Sequence, residues 1–210
     1  PILDMHLFQE LDLEPEDAGA FQNLMSDMED EGAVIKTKKG KYALPIHMNI
    51  ILGKLITHQK GFGFVVPQNL QSEDIFIPAS DLSGGMNGDL VFCKVTGVSE
   101  QGRRKEGIVI KILKRANEKV VGTFEVSDNF AFVIPDDKKL AMDIYVARQD
   151  FNGAKAGQKV VVKITRWPEG RRNPEGFVSE VIGFMGESGV DVLSVIKKFQ
   201  LPEEFPKKVL

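Results

Sequence analysis

The feature that most constrains the fold is an internal repeat in the middle of this 210-residue chain. Four matches lie 69 residues apart: Gly53 with Gly122, Asp74-Ile75 with Asp143-Ile144, Gly88 with Gly157, and Glu106-Gly107 with Glu175-Gly176. Three further matches lie 68 apart: Phe62 with Phe130, Phe64 with Phe132, and Pro67 with Pro135. Self-similarity at a fixed spacing indicates two copies of one structural unit. One loop is a residue shorter in the second copy.

Each copy contains five short segments rich in β-branched and aromatic residues, bounded by Gly, Asn, Asp and Ser. The predicted strands of the first copy are 53–58, 62–67, 74–77, 89–96 and 106–114. Those of the second copy are 120–126, 130–135, 143–147, 159–166 and 176–183. A β-sandwich normally needs more strands, whereas a small closed barrel of the OB type leaves no free strand edge. We therefore predict a mainly β, α+β protein with two tandem five-stranded OB-fold barrels.

The segment before the repeat has a helical pattern followed by a hairpin pattern. Within 15–31 an apolar stripe has helical spacing, and Gly32 follows as a C-terminal cap. The stripe consists of Ala18, Phe21, Leu24, Met25 and Met28. Two short β-rich segments then flank a basic tip at 38–41. This order predicts the back half of a winged helix, with its first helix absent or only partly present at 3–11.

The segment after the repeat contains one further helical stripe, formed by Val192, Val195, Ile196 and Phe199. We expect this stripe to dock on something beyond Leu210, and the absence of an initiator Met leads us to expect a longer parent chain. The predicted division is a partial winged helix at 1–47, barrels at 48–117 and 118–184, and at 185–210 a linker with the start of a further domain.

The net charge of −3 conceals a strong segregation of charge along the chain. Residues 1–47 contain ten acidic and four basic side chains, whereas 48–117 contain nine basic and six acidic ones. Residues 118–184 balance at ten of each sign. A polyanion is therefore expected at the middle of the chain, with the acidic end turned away from it and available to protein partners.

The strongest local signal is the run Lys-Gly-Phe-Gly-Phe-Val at 60–65. Alternate residues of a strand share a face, so Phe62 and Phe64 project together. The following Asp-Ile-Phe-Ile-Pro run should bury Ile75 and Ile77 and present Phe76 outward. Three rings on one face, with Lys54 and Lys60 nearby, predict a platform on which nucleic-acid bases stack. The alternative is that Phe62 and Phe64 belong to the barrel core.

The second copy keeps this pattern with weaker chemistry. Phe130, Phe132 and Tyr145 can share a face, and Arg148 lies nearby in the sequence. Here the alternative is that the aromatic residues pack at an interface between domains.

An arginine pair follows the fourth predicted strand in both copies. The pairs are Arg103 with Arg104 and Arg171 with Arg172. OB folds use this loop to close over oligonucleotides, and the planar guanidinium group suits phosphate. The alternative is a solvated hairpin tip.

Other classes of site lack support in the sequence. His6, His47 and His58 have no metal-ligand spacing, and Cys93 in mid-strand is expected to be a buried, inert thiol. Asp136 and Asp137 fit a turn better than a metal site. We therefore predict no catalytic residue, metal ligand or cofactor in these 210 residues. With one cysteine, no signal peptide and no apolar run long enough for a membrane span, the expected compartment is the cytoplasm.

The Lys-Gly-Phe-Gly-Phe-Val and Asp-Ile-Phe-Ile-Pro runs resemble the paired RNA-binding motifs of cold-shock domains. The order of the whole chain resembles the N-terminal half of the bacterial ribonuclease R family. This resemblance rests on GKLITHQKGFGFVVP, DIFIP, EGIVIKIL, NFAFVIPDDKK and DIYV. The second copy departs from the motif at Asn129 and Ala131, where the first copy has glycine.

The resemblance implies a magnesium-dependent exoribonuclease that degrades RNA processively from its 3′ end to nucleoside 5′-monophosphates. In that family two cold-shock domains precede the catalytic domain, whose aspartates hold Mg²⁺, and an S1 domain follows. None of those aspartates match here, so the chain by itself is expected to be inactive.

We therefore expect a monomeric, single-stranded-RNA-binding region of such an enzyme, with micromolar affinity and little sequence preference. Two alternatives remain: a self-contained tandem cold-shock RNA-binding or chaperone protein without nuclease activity, and a protein-interaction module.

Overall fold

The computed structural model describes residues 1–69, 72–98, 104–170, 172–199 and 201. The chain divides into two compact units, one formed by Pro1–Ile56 with Phe62–Arg115 and the other by Thr57–Gly61 with Ala116–Leu210. No helix within those described ranges is both long and apolar enough to cross a membrane.

The N-terminal part of the first unit combines two helices with a small sheet. In chain order its elements are β1 (Ile2–Leu3), α1 (Asp4–Glu10), α2 (Ala18–Asp30), β2 (Ile35–Lys36) and β3 (Lys41–Ala43). The predicted helix and hairpin are both present, and α1 supplies part of the earlier helix. Strand β1, which sequence reasoning missed, pairs antiparallel with β3.

Helix α2 buries only part of its predicted apolar stripe. Phe21 and Met25 are buried with Val34 and Tyr42 in one cluster, but Leu24 is 56% exposed. Gly32 ends the helix with a φ of +79°, a left-handed conformation that glycine adopts without strain. The predicted cap is therefore confirmed, whereas the buried face of the helix is narrower than the predicted stripe, because it excludes Leu24.

The first barrel closes in the strand order β4-β5-β6-β8-β7. Its strands are β4 (Ile50–Thr57), β5 (Gly63–Pro67), β6 (Ile75–Ile77), β7 (Leu90–Val98) and β8 (Lys105–Lys114). Each lies within about three residues of its predicted bounds. The pair β6–β8 is parallel, while β4–β7, β5–β6 and β7–β8 are antiparallel. Leu55, Val65, Ile75 and Ile77 are among the residues that fill the interior.

The N-terminal elements pack directly against this barrel. Ile35 is buried with Ile50 and Phe92 in a second apolar cluster. At the edge of the contact, the Lys111 Nζ of β8 lies 2.7 Å from a Glu29 carboxylate oxygen of α2. One basic residue of the first barrel, Lys111, is thus paired with an acidic residue of the segment 1–47.

The second barrel repeats the same closure in the order β10-β11-β13-β12-β9. Its strands are β9 (Lys119–Ser127), β10 (Phe130–Pro135), β11 (Ile144–Ala147), β12 (Gln158–Arg166) and β13 (Glu175–Phe184). The pair β11–β13 is again parallel. The prediction of two tandem five-stranded barrels is confirmed.

Matched glycines sit where the two barrels bring strands unusually close together. A Cβ on Gly53 would lie 2.5 Å from the carbonyl oxygen of Val66, and one on Gly122 would lie 2.3 Å from that of Ile134. These separations are far below van der Waals contact, so a side chain at either position would force the strands apart. The match of Gly53 with Gly122 in the sequence repeat therefore reflects a position in each barrel where only glycine allows the two strands to approach.

A buried ion pair closes one turn of the first barrel. Asp89 is fully buried, and its carboxylate lies 2.9 Å from Arg115 Nη1. The same carboxylate accepts a hydrogen bond of 2.9 Å from the Met86 N–H. At the matching turn of the second barrel, Gln158 Oε1 accepts one of 2.7 Å from the Lys155 N–H. The two copies thus make the same turn contact with a charged group in one and a neutral group in the other.

The last helix, α3 (Val190–Lys198), packs against β9, β12 and β13 of the second barrel. The helix therefore has a partner within the chain, which the expected docking of its apolar stripe beyond Leu210 did not include. Its buried face holds Val190 and Ser194, and Lys197 forms a 2.9 Å ion pair with Glu180. The apolar stripe is not the face that packs on the barrel, since Val192, Val195 and Phe199 are all more than half exposed.

Cys93 lies in the core of the first barrel and is fully buried. Burial raises the pKa of its thiol to about 12, because the anionic thiolate loses its solvation. The thiol is therefore protonated at neutral pH, and we expect no reaction of the native protein with an aromatic disulfide reagent over hours. Addition of denaturant should expose one thiol per chain. Rapid modification without denaturant would contradict this expectation.

Candidate nucleic-acid interface

Phe62, Phe64 and Phe76 form a compact group of rings, here called the first platform. The centroid of Phe62 lies 5.8 Å from that of Phe64 and 5.6 Å from that of Phe76. Phe64 and Phe76 are directly opposite each other on β5 and β6, with centroids 5.6 Å apart. The predicted grouping of these three side chains is therefore confirmed.

The first platform lies on the outside of the barrel. Its three rings are partly exposed, whereas the alternating residues Val65, Ile75 and Ile77 are fully buried. Gly63 also faces inward, since a Cβ there would lie 3.1 Å from Leu55 Cδ1. The alternative in which Phe62 and Phe64 form the barrel core is wrong, because aliphatic side chains already fill the interior.

Among the described residues, Arg104 lies directly beside the first platform. The Arg104 guanidinium carbon is 5.9 Å from the centroid of Phe64, within the range of a cation–π contact. Lys54 is exposed on β4, and Lys60 is exposed in the turn between β4 and β5. Arg103 lies outside the described residues.

Phe130, Phe132 and Tyr145 form the equivalent second platform. The centroid of Phe130 is 5.4 Å from that of Phe132 and 5.8 Å from that of Tyr145. Phe132 and Tyr145 are paired across β10 and β11 with centroids 6.0 Å apart. Ala131, which replaces a motif glycine, is fully buried and points into the barrel. That departure from the motif therefore leaves the grouping of the outer rings unchanged.

The charged groups around the second platform are mixed. Arg148 is exposed in the turn after β11, and Arg172 is exposed in the turn between β12 and β13. Arg171 lies outside the described residues. Sequence reasoning missed two acidic neighbours of this platform, Glu125 opposite Phe132 and Glu175 opposite Tyr145. Comparing the copies position by position could have found Glu125, since Ile56 precedes it by 69 residues.

Comparison with known families and structures agrees with this geometry. The model of the ribonuclease B OB domain matches residues 53–112, and that of the cold shock domain matches residues 132–206. The first of these spans nearly all of the first barrel, from within β4 to within β8.

Relatives at the level of sequence are ribonucleases R. That of Acidithiobacillus ferrooxidans is 28% identical over 212 residues, which cover 100% of this chain and 48% of the relative. That of Thermotoga maritima is 34% identical over 192 residues, which cover 90% of this chain and 26% of the relative. The chain thus spans half or less of the length of these relatives.

Solved structures show the same fold. Mycoplasma genitalium RNase R matches with a TM-score of 0.66 and 21% identity, over 76% of this chain and 26% of that one. The values are the same for the apo form and for its complex with ribose methylated single-stranded RNA. The chain is therefore similar to ribonucleases R over most of its length. Residues 53–112 match the ribonuclease B OB domain, residues 132–206 match the cold shock domain, and the solved structure shares the fold.

Proposed function

We propose that this chain binds single-stranded RNA, with the first platform as its principal contact. The observation that carries the proposal is the outward group formed by Phe62, Phe64 and Phe76 over a separately filled core. Rings that the core does not need are available to stack on bases. The complex of the Mycoplasma genitalium relative with single-stranded RNA supports the same ligand class.

Stacking of bases on aromatic rings and contacts of basic side chains with phosphates are both expected to contribute to RNA affinity. Each base stacked on an aromatic ring contributes about 1–3 kcal/mol, and every base offers a stacking face. Lys54, Lys60, Arg103 and Arg104 would contact phosphates, as would Arg148, Arg171 and Arg172 around the second platform. After the cost of ordering the RNA, we expect micromolar affinity.

We further propose that the chain serves as the RNA-binding region of a cytoplasmic, monomeric 3′→5′ exoribonuclease that releases nucleoside 5′-monophosphates. Its relatives named ribonuclease R support this role. We also propose that the chain is divided into a partial winged helix at 1–47, barrels at 48–117 and 118–184, and a linker with the start of a further domain at 185–210. The Mg²⁺ that the family uses would be held outside these four segments.

Salt dependence provides the direct test of phosphate contact. Titration of a fluorescein-labelled U octamer, followed by anisotropy, should show affinity falling on the order of 20-fold between 50 and 200 mM NaCl. This expectation assumes about three phosphate contacts and a logarithmic slope of about −0.7 per contact.

The substitution Lys54→Gln should reduce that slope by about 0.7, the value of one phosphate contact. Lys111→Gln is the matched control, because it removes the same charge at a lysine that is paired with Glu29. A slope near zero, or equal slopes for wild type and Lys54→Gln, would contradict the assignment of Lys54 to a phosphate.

A further inference from the structure

The second platform has an acidic group in direct register with one of its rings. Glu125 on β9 is paired with Phe132 on β10, and Phe132 is paired on its other side with Tyr145. Directly opposed residues of an antiparallel pair project from the same face, with Cβ atoms about 5 Å apart. The carboxylate of Glu125 therefore projects from the face that carries the rings.

This carboxylate has no counterpart in the first copy. The residue 69 positions earlier is Ile56 on β4, so the corresponding position of the first copy carries an aliphatic side chain. The difference changes the chemistry at the edge of the stacking surface while the barrel fold is retained.

The carboxylate of Glu125 is also available to accept hydrogen bonds from a ligand. Its side chain is exposed and makes no hydrogen bond or ion pair with any other residue in the described part of the chain. The acidic residue at the other end of the same row is different, because Glu175 forms a 3.2 Å ion pair with Arg166. Among the described residues around the second platform, Glu125 is thus an acceptor without a cation to neutralise it.

We propose that Glu125 makes the second platform prefer guanine, an inference that rests on the proposed binding of single-stranded RNA. An ionised carboxylate is purely an acceptor with two oxygens. The Watson–Crick edge of guanine presents two adjacent donors, N1–H and N2–H₂, which match those oxygens in a parallel, bidentate pair. Adenine and cytosine offer one amino group beside an acceptor nitrogen, and uracil offers one N–H between two carbonyl groups, so each makes a poorer match.

The charge balance of the two barrels fits this assignment. The segment 48–117 has an excess of basic residues, whereas 118–184 is balanced at ten of each sign. A carboxylate beside the bases weakens the general attraction for phosphate but adds a contact that depends on base identity. The first platform would then supply affinity for any sequence, and the second would supply selectivity.

The test compares three labelled RNA octamers: all U, U with two central G residues, and U with two central A residues. Anisotropy should give wild-type binding on the order of tenfold tighter for the G octamer than for the A octamer, the scale expected of one bidentate base contact. In Glu125→Gln the ratio should fall to about one, because the amide has only one acceptor oxygen. Affinity for the U octamer should change by less than about twofold.

The matched control is Glu118→Gln, which removes the same charge from an exposed residue just before β9. It should retain the full preference for the G octamer. Equal wild-type affinities for the G and A octamers, or a preference that survives Glu125→Gln, would overturn the assignment of Glu125 while salt-dependent binding of the U octamer leaves the proposed function in place. Absence of binding to all three octamers would overturn both.

Discussion

Replacing both Phe62 and Phe64 with alanine is expected to weaken the binding of a U octamer at least 30-fold. Each lost stacking contact removes about 1–3 kcal/mol, and 1.4 kcal/mol corresponds to a factor of ten in affinity. The two rings lie 5.8 Å apart on the outer face of the first barrel, so a single strand can use both. Anisotropy titration of wild type and double variant measures the difference.

The matched control for this experiment is Phe199→Ala, which deletes a ring that is 64% exposed at the end of α3 and belongs to neither platform. It should bind RNA like the wild type. Phe130→Ala/Phe132→Ala should have a smaller effect, because the cation–π contact of Arg104 belongs to the first platform. Thermal unfolding of each variant separates loss of a contact from loss of structure. Equal affinities of wild type and Phe62→Ala/Phe64→Ala, with the fold intact, would refute the stacking role of the first platform.

Removing Arg115 should have the largest effect on stability. The substitution Arg115→Met leaves the fully buried carboxylate of Asp89 without its guanidinium partner at 2.9 Å. Loss of one member of a buried pair typically costs about 3–5 kcal/mol, since the Asp89 carboxylate then stays buried without the opposing guanidinium charge. Urea unfolding followed by circular dichroism should show this loss in the free energy of unfolding.

The second barrel indicates how the loss can be repaired. Its equivalent turn uses the neutral Gln158 to accept the hydrogen bond from the Lys155 N–H. The double variant Asp89→Gln/Arg115→Met should therefore recover most of the stability that Arg115→Met loses. Lys111→Met, which breaks the partly exposed pair with Glu29, is the control and should cost about 1 kcal/mol or less. Equal losses in the free energy of unfolding for Arg115→Met and Lys111→Met would show that the buried pair contributes no more to stability than the partly exposed pair.

The barrels could be predicted from the sequence because their requirements recur within it. Gly53 and Gly122 mark the same close approach of strands, and strict alternation around Phe64 and Phe132 fixes which side chains point outward. The first platform could therefore be assigned before its geometry was known. Periodicity of this kind is local, so it survives in a single sequence.

Features that depend on distant partners could not be predicted in this way. The pairing of Asp89 with Arg115 joins residues 26 positions apart in the sequence, which the β7–β8 pairing brings together. The buried face of α3 is set by its fit to three strands, and Val190 and Ser194 gave no signal of it. Comparison of the two copies marks Glu125 as a difference, but only the strand pairing places it opposite Phe132.

The parallel pairing of β6 with β8 and of β11 with β13 has a consequence for dynamics. Each of these parallel strand pairings, here called a seam, is short. In the first barrel Phe76 is paired with Glu106. In the second barrel Tyr145 is paired with Glu175, and Val146 with Gly176. Few hydrogen bonds hold a short seam, so local opening there costs less than separation of the long antiparallel pairs. Since Phe76 and Tyr145 each contribute a ring to a platform, a strand of RNA held across the rings would also hold the barrel shut. Ligand binding and barrel closure would then stabilise each other.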